Sequence, residues 1–242
     1  MKNFRTFKKD TICIICAKSK NQGLPNKNIK LINGYPLIYY AIKKAIKNNF
    51  KYICVSTDSI KIAKVSQKYG VKTFFYRSKK LCKPNVPKVS VWKDAINKSK
   101  AYFKKDFKYM LDIEVTNPLV GVNDLYKFSQ LFFKKKGYYD GVFCYTPAKK
   151  NPYFNLMERK KYGFILSKKV KNLNITARQK APETFEHVAA LYYFNIDYIL
   201  SCKNIFDGKT FGHYVSLFKS FDIDSISDFK LVELLLKKLN KK

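Results

Sequence analysis

The sequence predicts an α/β fold organised around a mostly parallel sheet. Up to Pro147, short apolar and β-branched runs alternate with amphipathic stretches, which is typical of βαβ units. The predicted strands are Ile12–Cys16, Tyr52–Ser56, Lys72–Phe75, Tyr109–Ile113 and Gly141–Tyr145, and the predicted helices are Leu37–Lys47, Ser59–Tyr69, Val89–Phe103 and Val122–Lys135. Open parallel sheets bind ligands beyond the carboxyl ends of their strands, so we expect the functional residues to follow these strands.

The pattern changes after Pro147. From about residue 147 to 195 the chain has the features of irregular segments and hairpin-like strands, with no linker rich in Gly, Ser or Pro. We interpret this stretch as an insertion in a single domain spanning residues 1–242, forming a substrate lid or a dimer contact. A late strand over Tyr214–Phe218 and a last helix over Asp228–Leu239 complete the predicted elements.

Length and hydropathy indicate one globular unit. The 242 residues are 46% hydrophobic, which is enough for one sizeable core. No apolar run reaches the roughly 18 residues that a bilayer-spanning helix needs. Met1 to Asp10 is charged and lacks the apolar core of a secretory signal, so we expect a cytoplasmic protein without a membrane segment.

The net charge of +32 suggests a nucleic-acid partner at first sight. Arginine, which proteins prefer for bidentate contacts to bases, occurs only at positions 5, 77, 159 and 178, while Lys is scattered along the whole chain. We therefore expect a solvated Lys-rich surface that recruits anionic substrates, and no nucleic-acid partner.

The six cysteines do not suggest a disulfide framework or a metal site. Cys13 and Cys16 lie in a predicted strand, where a spacing of three places their side chains on opposite faces. We expect Cys13 and Cys16 to be buried small apolar residues and all six thiols to be reduced, as in cytosolic proteins.

The loop that follows the first predicted strand has the composition of a phosphate-binding loop. It runs from Ala17 to Asn28, contains Gly23 and several Lys, and precedes an amphipathic stretch. A strand, a Gly-containing basic loop and a helix together hold phosphates in many α/β proteins. The spacing matches neither the P-loop nor the dinucleotide fingerprint, so an ordinary polar connection is the alternative.

Asp222 and Asp224 are the second candidate site. In an extended segment their spacing places both carboxylates on one face, with Phe221 and Ile223 toward the core. Two such carboxylates suit Mg²⁺, which is held by a few carboxylates, waters and substrate phosphates. The alternative is a solvated strand end before a helix that begins near Asp228.

Further candidates follow other strands or lie in the inserted segment. Arg77 follows the third predicted strand and either holds a base or phosphate or lies on the surface. Glu114 and Thr116 follow the fourth. Arg178, beside Gln179, either binds a substrate carboxylate or forms an ion pair with Glu183 or Glu186.

These residues resemble a known family across nearly the whole chain. The acylneuraminate cytidylyltransferases, or CMP-sialic acid synthetases, open with a loop of the form A-R-x-G-S-K-G-[IL]-x-x-K-N. The chain is most similar to the bacterial branch that activates legionaminic acid and related nonulosonates. The matching stretches, in family order, are Ala17–Asn28, Val55–Asp58, Thr116–Leu119, Asn151–Asn155, Arg178–Gln179 and Phe221–Asp224.

The resemblance implies a fold, a reaction and a cofactor. The fold is a Rossmann-like, GT-A-like nucleotidyltransferase fold, expected as a homodimer in which the inserted segment packs on the partner. The reaction transfers CMP from CTP to the anomeric hydroxyl of a nonulosonic acid with Mg²⁺, releasing pyrophosphate and serving surface glycan synthesis.

The resemblance also implies roles for individual residues. The catalytic residues are Lys27, Asp222 and Asp224, and the two aspartates are the metal ligands. The nucleotide-binding residues are Ala17, Lys18, Asn21, Gln22, Gly23, Asn28 and Arg77, and the sugar-binding residues are Glu114, Thr116, Arg178 and Gln179.

Several positions depart from the family pattern. Lys18 replaces the loop Arg, Asn21 and Gln22 replace its Ser and Lys, Glu114 replaces a Gln, Val120 replaces an Arg, and Val188 replaces an Asn. These changes leave alternatives open: a different sugar acid, a transferase for 3-deoxy-manno-octulosonate, or a weakened or inactive homologue that binds nucleotide or sugar. Charge alone would favour a nucleic-acid binder.

Overall fold

The computed structural model describes residues 2–20, 23–168 and 175–240. The helices are α1 Lys2–Lys9, α2 Leu37–Lys47, α3 Ile60–Lys68, α4 Lys88–Phe103, α5 Val122–Lys135, α6 Ile196–Ser201 and α7 Ile226–Asn240. The strands are β1 Thr11–Cys16, β2 Leu31–Ile32, β3 Tyr35–Pro36, β4 Tyr52–Ser56, β5 Tyr109–Ile113, β6 Gly141–Pro147, β7 Met157–Lys160, β8 Gly163–Leu166, β9 Phe185–Asn195 and β10 Thr210–Tyr214. Within these ranges no helix has both the length and the apolar character needed to cross a membrane.

The described residues form a six-stranded sheet in the order β10-β6-β9-β5-β1-β4. β1 pairs in parallel with β4 and β5, and β10 pairs in parallel with β6. β9 pairs antiparallel with both β5 and β6. The mostly parallel sheet is therefore confirmed, and its five parallel strands present their carboxyl ends at one edge.

The sheet has a hydrophobic core on each face, because alternate side chains of a strand point in opposite directions. In β1, Cys13 and Ile15 contact one core and Ile12 and Ile14 the other, and all four are fully buried. Helices α1, α2, α3, α5 and α7 cover the first face, and α4 and α6 cover the second. This three-layer packing holds the carboxyl edge of the sheet in place.

Two predicted strands differ from the structure. The Lys72–Phe75 strand is absent from the sheet, and Tyr76 makes a single bridge with Thr57 there. Phe74 stacks instead on Tyr102 of α4, with ring centroids 4.1 Å apart, so packing on the helix replaces strand pairing. The late strand lies earlier than predicted, because β10 ends at Tyr214 and the following residues turn into a short 3₁₀ helix over Leu217–Lys219.

The stretch assigned to an insertion also divides in two. β7 and β8 form a separate antiparallel hairpin, whereas β9 lies inside the six-stranded sheet. Val188 and the run from Ala190 to Phe194 are buried, as expected of a strand covered on both faces. The segment outside the sheet therefore ends before Phe185 and not at residue 195.

A buried lysine fixes the turn that follows β5. Lys44 of α2 is 2% exposed, and its Nζ donates to the carbonyl oxygen of Asn117 at 3.0 Å. Burial lowers the pKa of Lys44 to about 8, and the nearby charge of Asp124 opposes this shift. Asn117 in turn donates from Nδ2 to the Lys219 carbonyl at 3.0 Å, which ties the turn to the segment before Asp222.

This burial predicts a pH-dependent stability. Between pH 8 and 10.5 the unfolded chain binds the Lys44 proton while the folded chain releases it, so stability rises with pH in this window. Relative to Lys44→Met, the wild-type free energy of unfolding should increase by up to about 1.4 kcal/mol per pH unit above pH 8. Urea unfolding from pH 7 to 10 measures it. Lys47→Met, at an exposed position of the same helix, should parallel the wild type, and parallel curves for Lys44→Met would contradict the prediction.

Candidate active site

A cavity of about 240 Å³ opens at the carboxyl edge of the sheet, beyond β1 and β5. We call it the edge cavity. Its lining combines cations and one carboxylate with a small apolar wall, and consists of Cys16, Lys18, Lys27, Asn28, Arg77, Leu81, Lys83, Pro84, Val86, Lys88, Val91, Glu114, Val115 and Thr116. The loop after β1 and the strand end of β5 therefore meet in one place, as the fold rule for parallel sheets predicts.

The loop after β1 is fixed at both ends. Ala17 is buried, and its N–H donates to the Ser56 carbonyl at 3.0 Å, extending the pairing of β1 with β4. Ser19 donates from its N–H and its hydroxyl to the two carboxylate oxygens of Asp58, at 2.7 and 2.5 Å. Asn28 donates from Nδ2 to the Lys18 carbonyl at 2.9 Å.

The outward part of this loop is only partly described. Asn21 and Gln22, both assigned to the nucleotide, lie outside the described residues. Lys18 and Asn28 line the edge cavity, and Asn28 is 4% exposed. With Lys27, which lines the same cavity, the loop therefore presents two cations and one fixed amide.

The loop also contacts the acidic segment near the C-terminus. Lys27, 6% exposed, donates from Nζ to the Ile223 carbonyl at 2.5 Å and lies 3.0 Å from Oδ1 of Asp224. Gly23 has φ +92°, and a Cβ there would lie 2.5 Å from the Asp224 carbonyl oxygen. The structure thus brings together the two motifs that the sequence singled out nearly 200 residues apart.

The acidic segment, residues 221–224, lies in no strand or helix. Ile223 is fully buried and donates from its N–H to the Thr116 carbonyl at 3.0 Å, while Asp224 is exposed. Burial raises the pKa of Asp222, the charge of Asp224 raises it further, and the Thr116 hydroxyl and Lys27 oppose the shift. Asp228 accepts the N–H groups of Asp224 and Ser225 and so fixes the chain where α7 begins.

Arg77 is an interior residue and not a surface one. It is 7% exposed, and it donates from Nε to the Ser56 hydroxyl at 3.0 Å and from Nη2 to the Ser56 carbonyl at 2.6 Å. The guanidinium is thereby held against the end of β4 on the wall of the edge cavity.

The four residues assigned to the sugar are divided. Glu114 and Thr116 line the edge cavity, and the Glu114 side chain is 15% exposed. Arg178 and Gln179 lie on an exposed 3₁₀ turn outside it, where Arg178 donates from Nη2 to the Ala148 carbonyl at 2.9 Å. The described chain alone therefore does not bring all four together.

Sequence reasoning missed two charged residues of the site. Asp112 of β5 is fully buried, and its Oδ2 lies 2.7 Å from Nζ of Lys88, the first residue of α4. The same ammonium contacts the Glu114 carboxylate. The available signal was an aspartate inside an otherwise apolar strand, because buried carboxylates need a partner.

Comparison with known proteins identifies the family. The cytidylyltransferase family profile matches residues 12–241. The chain belongs to the cytidylyltransferase family. It is 37% identical over 234 residues to post-translational flagellin modification protein B of Campylobacter coli, covering 96% of this chain and 97% of that protein. It is 38% identical over 229 residues to CMP-N,N'-diacetyllegionaminic acid synthase of Campylobacter jejuni, covering 94% and 95% respectively.

Solved structures of cytidylyltransferases share the fold. CMP:2-keto-3-deoxy-manno-octonic acid synthetase, solved in complex with CTP, superposes with a TM-score of 0.67 over 95% of this chain and 99% of that chain. The sequence identity is 13%, so this likeness shows the fold and no more. The Rossmann-like nucleotidyltransferase fold expected from the sequence is therefore confirmed.

Two departures from the family pattern lie at buried positions of this cytidylyltransferase. Val120, where the resemblance leads one to expect Arg, is 1% exposed in the core beside α5 and does not line the edge cavity. Val188, which stands in the place of an Asn, is 4% exposed on β9. Both apolar side chains are compatible with their surroundings.

The contact between Gly23 and Asp224 leads to a matched-pair prediction. Gly23→Ala combines a strained positive φ with a clash against the backbone of the acidic segment, whereas Gly34→Ala has a φ of +82° and open space around the new Cβ. We expect Gly34→Ala to lower stability by about 1 kcal/mol and to leave CTP binding unchanged. Gly23→Ala should also weaken CTP binding about tenfold. Calorimetric titration with CTP and thermal unfolding measure both effects, and equal CTP affinities would disprove the coupling.

Proposed function

We propose that this protein transfers CMP from CTP to the anomeric hydroxyl of a nonulosonic acid of the sialic or legionaminic type, with release of pyrophosphate. The observation that carries the proposal is the contact of Lys27 with Asp224. It places a loop cation and an acidic pair on the same rim, next to a cavity at the carboxyl edge of the sheet. The similarity to a CMP-legionaminic acid synthase supports this choice of acceptor.

The triphosphate of CTP would occupy the basic side of the edge cavity. Lys18 and Lys27 offset phosphate charge there, and the backbone of the loop that Asp58 fixes supplies a rigid frame. Arg77, held on Ser56, and Asn28, held on Lys18, form the wall for the nucleoside. Pre-positioned donors of this kind stabilise charge that develops at phosphorus without reorganising during the reaction.

The acidic pair is suited to Mg²⁺. Among the described residues no cluster of three or more His, Cys, Asp or Glu side chains forms a complete metal cage. Mg²⁺, however, typically binds one or two protein carboxylates together with substrate phosphates and water. Asp222 and Asp224 would supply the two carboxylates. Burial and the charge of Asp224 raise the pKa of Asp222, which means that its ionised form is destabilised. A cation bound between the two carboxylates would relieve this destabilisation. Bound Mg²⁺ would polarise the α-phosphate and offset the charge of the leaving pyrophosphate.

The acceptor would approach from the side of Glu114 and Thr116. Glu114 follows β5 next to the edge cavity, and its carboxylate accepts hydroxyl or amide protons of a sugar acid. Asp222, bonded to the Thr116 hydroxyl, lies beside the same turn and would take the proton of the anomeric hydroxyl as it attacks phosphorus. Attack and departure then occur on opposite sides of the α-phosphate.

We further propose a homodimer in the cytoplasm. The β7–β8 hairpin exposes Met157, Tyr162 and Phe164 at 62%, 89% and 67%, which is an apolar surface suited to a second copy. Arg178 and Gln179, outside the cavity of their own chain, would then face a partner's sugar site. All six cysteines are free thiols, as is usual in the reducing cytosol.

Pyrophosphate release tests the reaction. Wild-type protein with CTP and Mg²⁺ should turn over one acid from a panel of N-acetylneuraminate, legionaminate, pseudaminate and 3-deoxy-manno-octulosonate. Lys27→Met should lower kcat by roughly 10²- to 10³-fold, because a preorganised cation is lost. Lys30→Met, at an exposed lysine just after this loop, should retain full activity.

The outcomes separate the alternatives. If only 3-deoxy-manno-octulosonate is turned over, that acid is the acceptor and the proposed nonulosonic acid is not. CTP binding with no turnover of any acid would identify a nucleotide-binding homologue without this activity.

The dimer has its own test. In the hairpin register, Met157 and Phe164 lie on one face and Ile165 on the other. Phe164→Glu should convert the dimer to a monomer at micromolar concentration, and Ile165→Glu should leave it intact. Sedimentation velocity measures both, and a wild-type monomer would contradict the proposal.

A further inference from the structure

A three-membered charge cluster lies on the α4 face of the sheet, beside the edge cavity. The Lys88 ammonium contacts Asp112 Oδ2 at 2.7 Å and the Glu114 carboxylate. The side chains differ in exposure: Asp112 is fully buried, Glu114 is 15% exposed, and Lys88 is 32% exposed. The cluster thus runs from the interior of the sheet to the cavity wall.

Aromatic rings hold the ammonium in place. Nζ of Lys88 lies 4.9 Å from the ring centre of Tyr192 and 5.3 Å from that of Trp92. Tyr192 pairs directly with Asp112 across β9 and β5, so cation, ring and carboxylate form one packed unit. An ammonium fixed by two rings and a buried carboxylate has little freedom to follow Glu114, so Glu114 takes its position from Lys88.

The fold does not need this cluster. Met110 and Ile14, the neighbours of Asp112 on the same face, are buried in an apolar core, and an apolar side chain at position 112 would fit the same layer. Burying an ion pair typically costs as much desolvation energy as its attraction returns. A role in the site is therefore a better explanation for the cluster than stability.

Lys88 also separates two cavities. It lines the edge cavity and a second one of about 420 Å³, which we call the aromatic cavity. The lining of the aromatic cavity is Pro87, Lys88, Val89, Trp92, His187, Tyr192, Lys203, Asn204, Ile205 and Phe206. Burial, aided by the charge of Lys88, lowers the pKa of His187, so His187 is neutral near pH 7 and Lys88 is the cation at the boundary.

We propose that Lys88 and Asp112 are a positioning pair that holds the Glu114 carboxylate at this boundary and thereby sets the affinity for the acceptor acid, not for CTP. The inference rests on the proposed function. Asp112 keeps the ammonium in place from the interior, and the ammonium orients Glu114 toward the acceptor. Without the pair, Glu114 is free to rotate. The sugar acid then loses a hydrogen-bonding carboxylate that is already in position when it binds.

Steady-state kinetics with both substrates varied is the test. Lys88→Met leaves Asp112 buried without a counter-charge and can fail to fold, so the decisive variant is Lys88→Met combined with Asp112→Asn. We expect this double variant to unfold near the wild-type temperature. Its KM for the acid should rise about tenfold or more, while its KM for CTP stays within about twofold. The single variant Lys88→Arg, which keeps the positive charge, should retain most of the affinity for the acid.

A matched control removes a charge from the same helix. Lys93 of α4 donates to the Cys202 carbonyl at 2.9 Å and touches neither carboxylate, so Lys93→Met should leave both KM values unchanged. A folded double variant with the wild-type KM for the acid would overturn the inference, and so would equal rises in both KM values. Wild-type protein that turns over no acid would instead refute the proposed function, and this inference with it.

Discussion

The rest of the site depends on the contact of the Lys27 ammonium with the acidic segment. The ammonium is buried beneath the loop after β1 and contacts both the carbonyl of Ile223 and the carboxylate of Asp224. The loop and the acidic segment come from opposite ends of the chain, and among their described residues this cation and the close approach of Gly23 join them. The bond to the Ile223 carbonyl is buried, and a charged hydrogen bond shielded from water is worth more than the same bond at the surface. The rim of the edge cavity is therefore held by an interaction that is also available to a phosphate.

Three buried or half-buried lysines organise the carboxyl edge, and each has a different partner. Lys27 binds the acidic segment, Lys44 binds the carbonyl of Asn117, and Lys88 binds two carboxylates on β5. A basic composition thus has two separate consequences. Most lysines are exposed, while Lys27 and Lys44 donate to backbone carbonyls and Lys88 forms ion pairs with two carboxylates. The composition alone does not distinguish the two groups.

Much of the site was accessible from the sequence, because its local patterns agree with the fold. The loop at Ala17 to Asn28 and the pair Asp222 and Asp224 follow from strand and loop signals together with the resemblance to the family. The central place of β9 was not accessible, since its pairing with β5 and β6 depends on contacts between residues far apart in the chain. Lys88 and Asp112 were given no joint role for the same reason, because only the packing of α4 on the sheet brings them together.

The antiparallel direction of β9 has a consequence for how this family can vary. The chain leaves β6 at the carboxyl edge and must return to that edge before it enters β9, so the segment between Ala148 and Thr184 begins and ends at the edge of the sheet where the edge cavity lies. A longer or shorter segment here leaves every strand register untouched, and the entropy of closing the loop changes only slowly with its length. The antiparallel strand thus lets the segment at this edge change in length while the rim of the edge cavity stays constant.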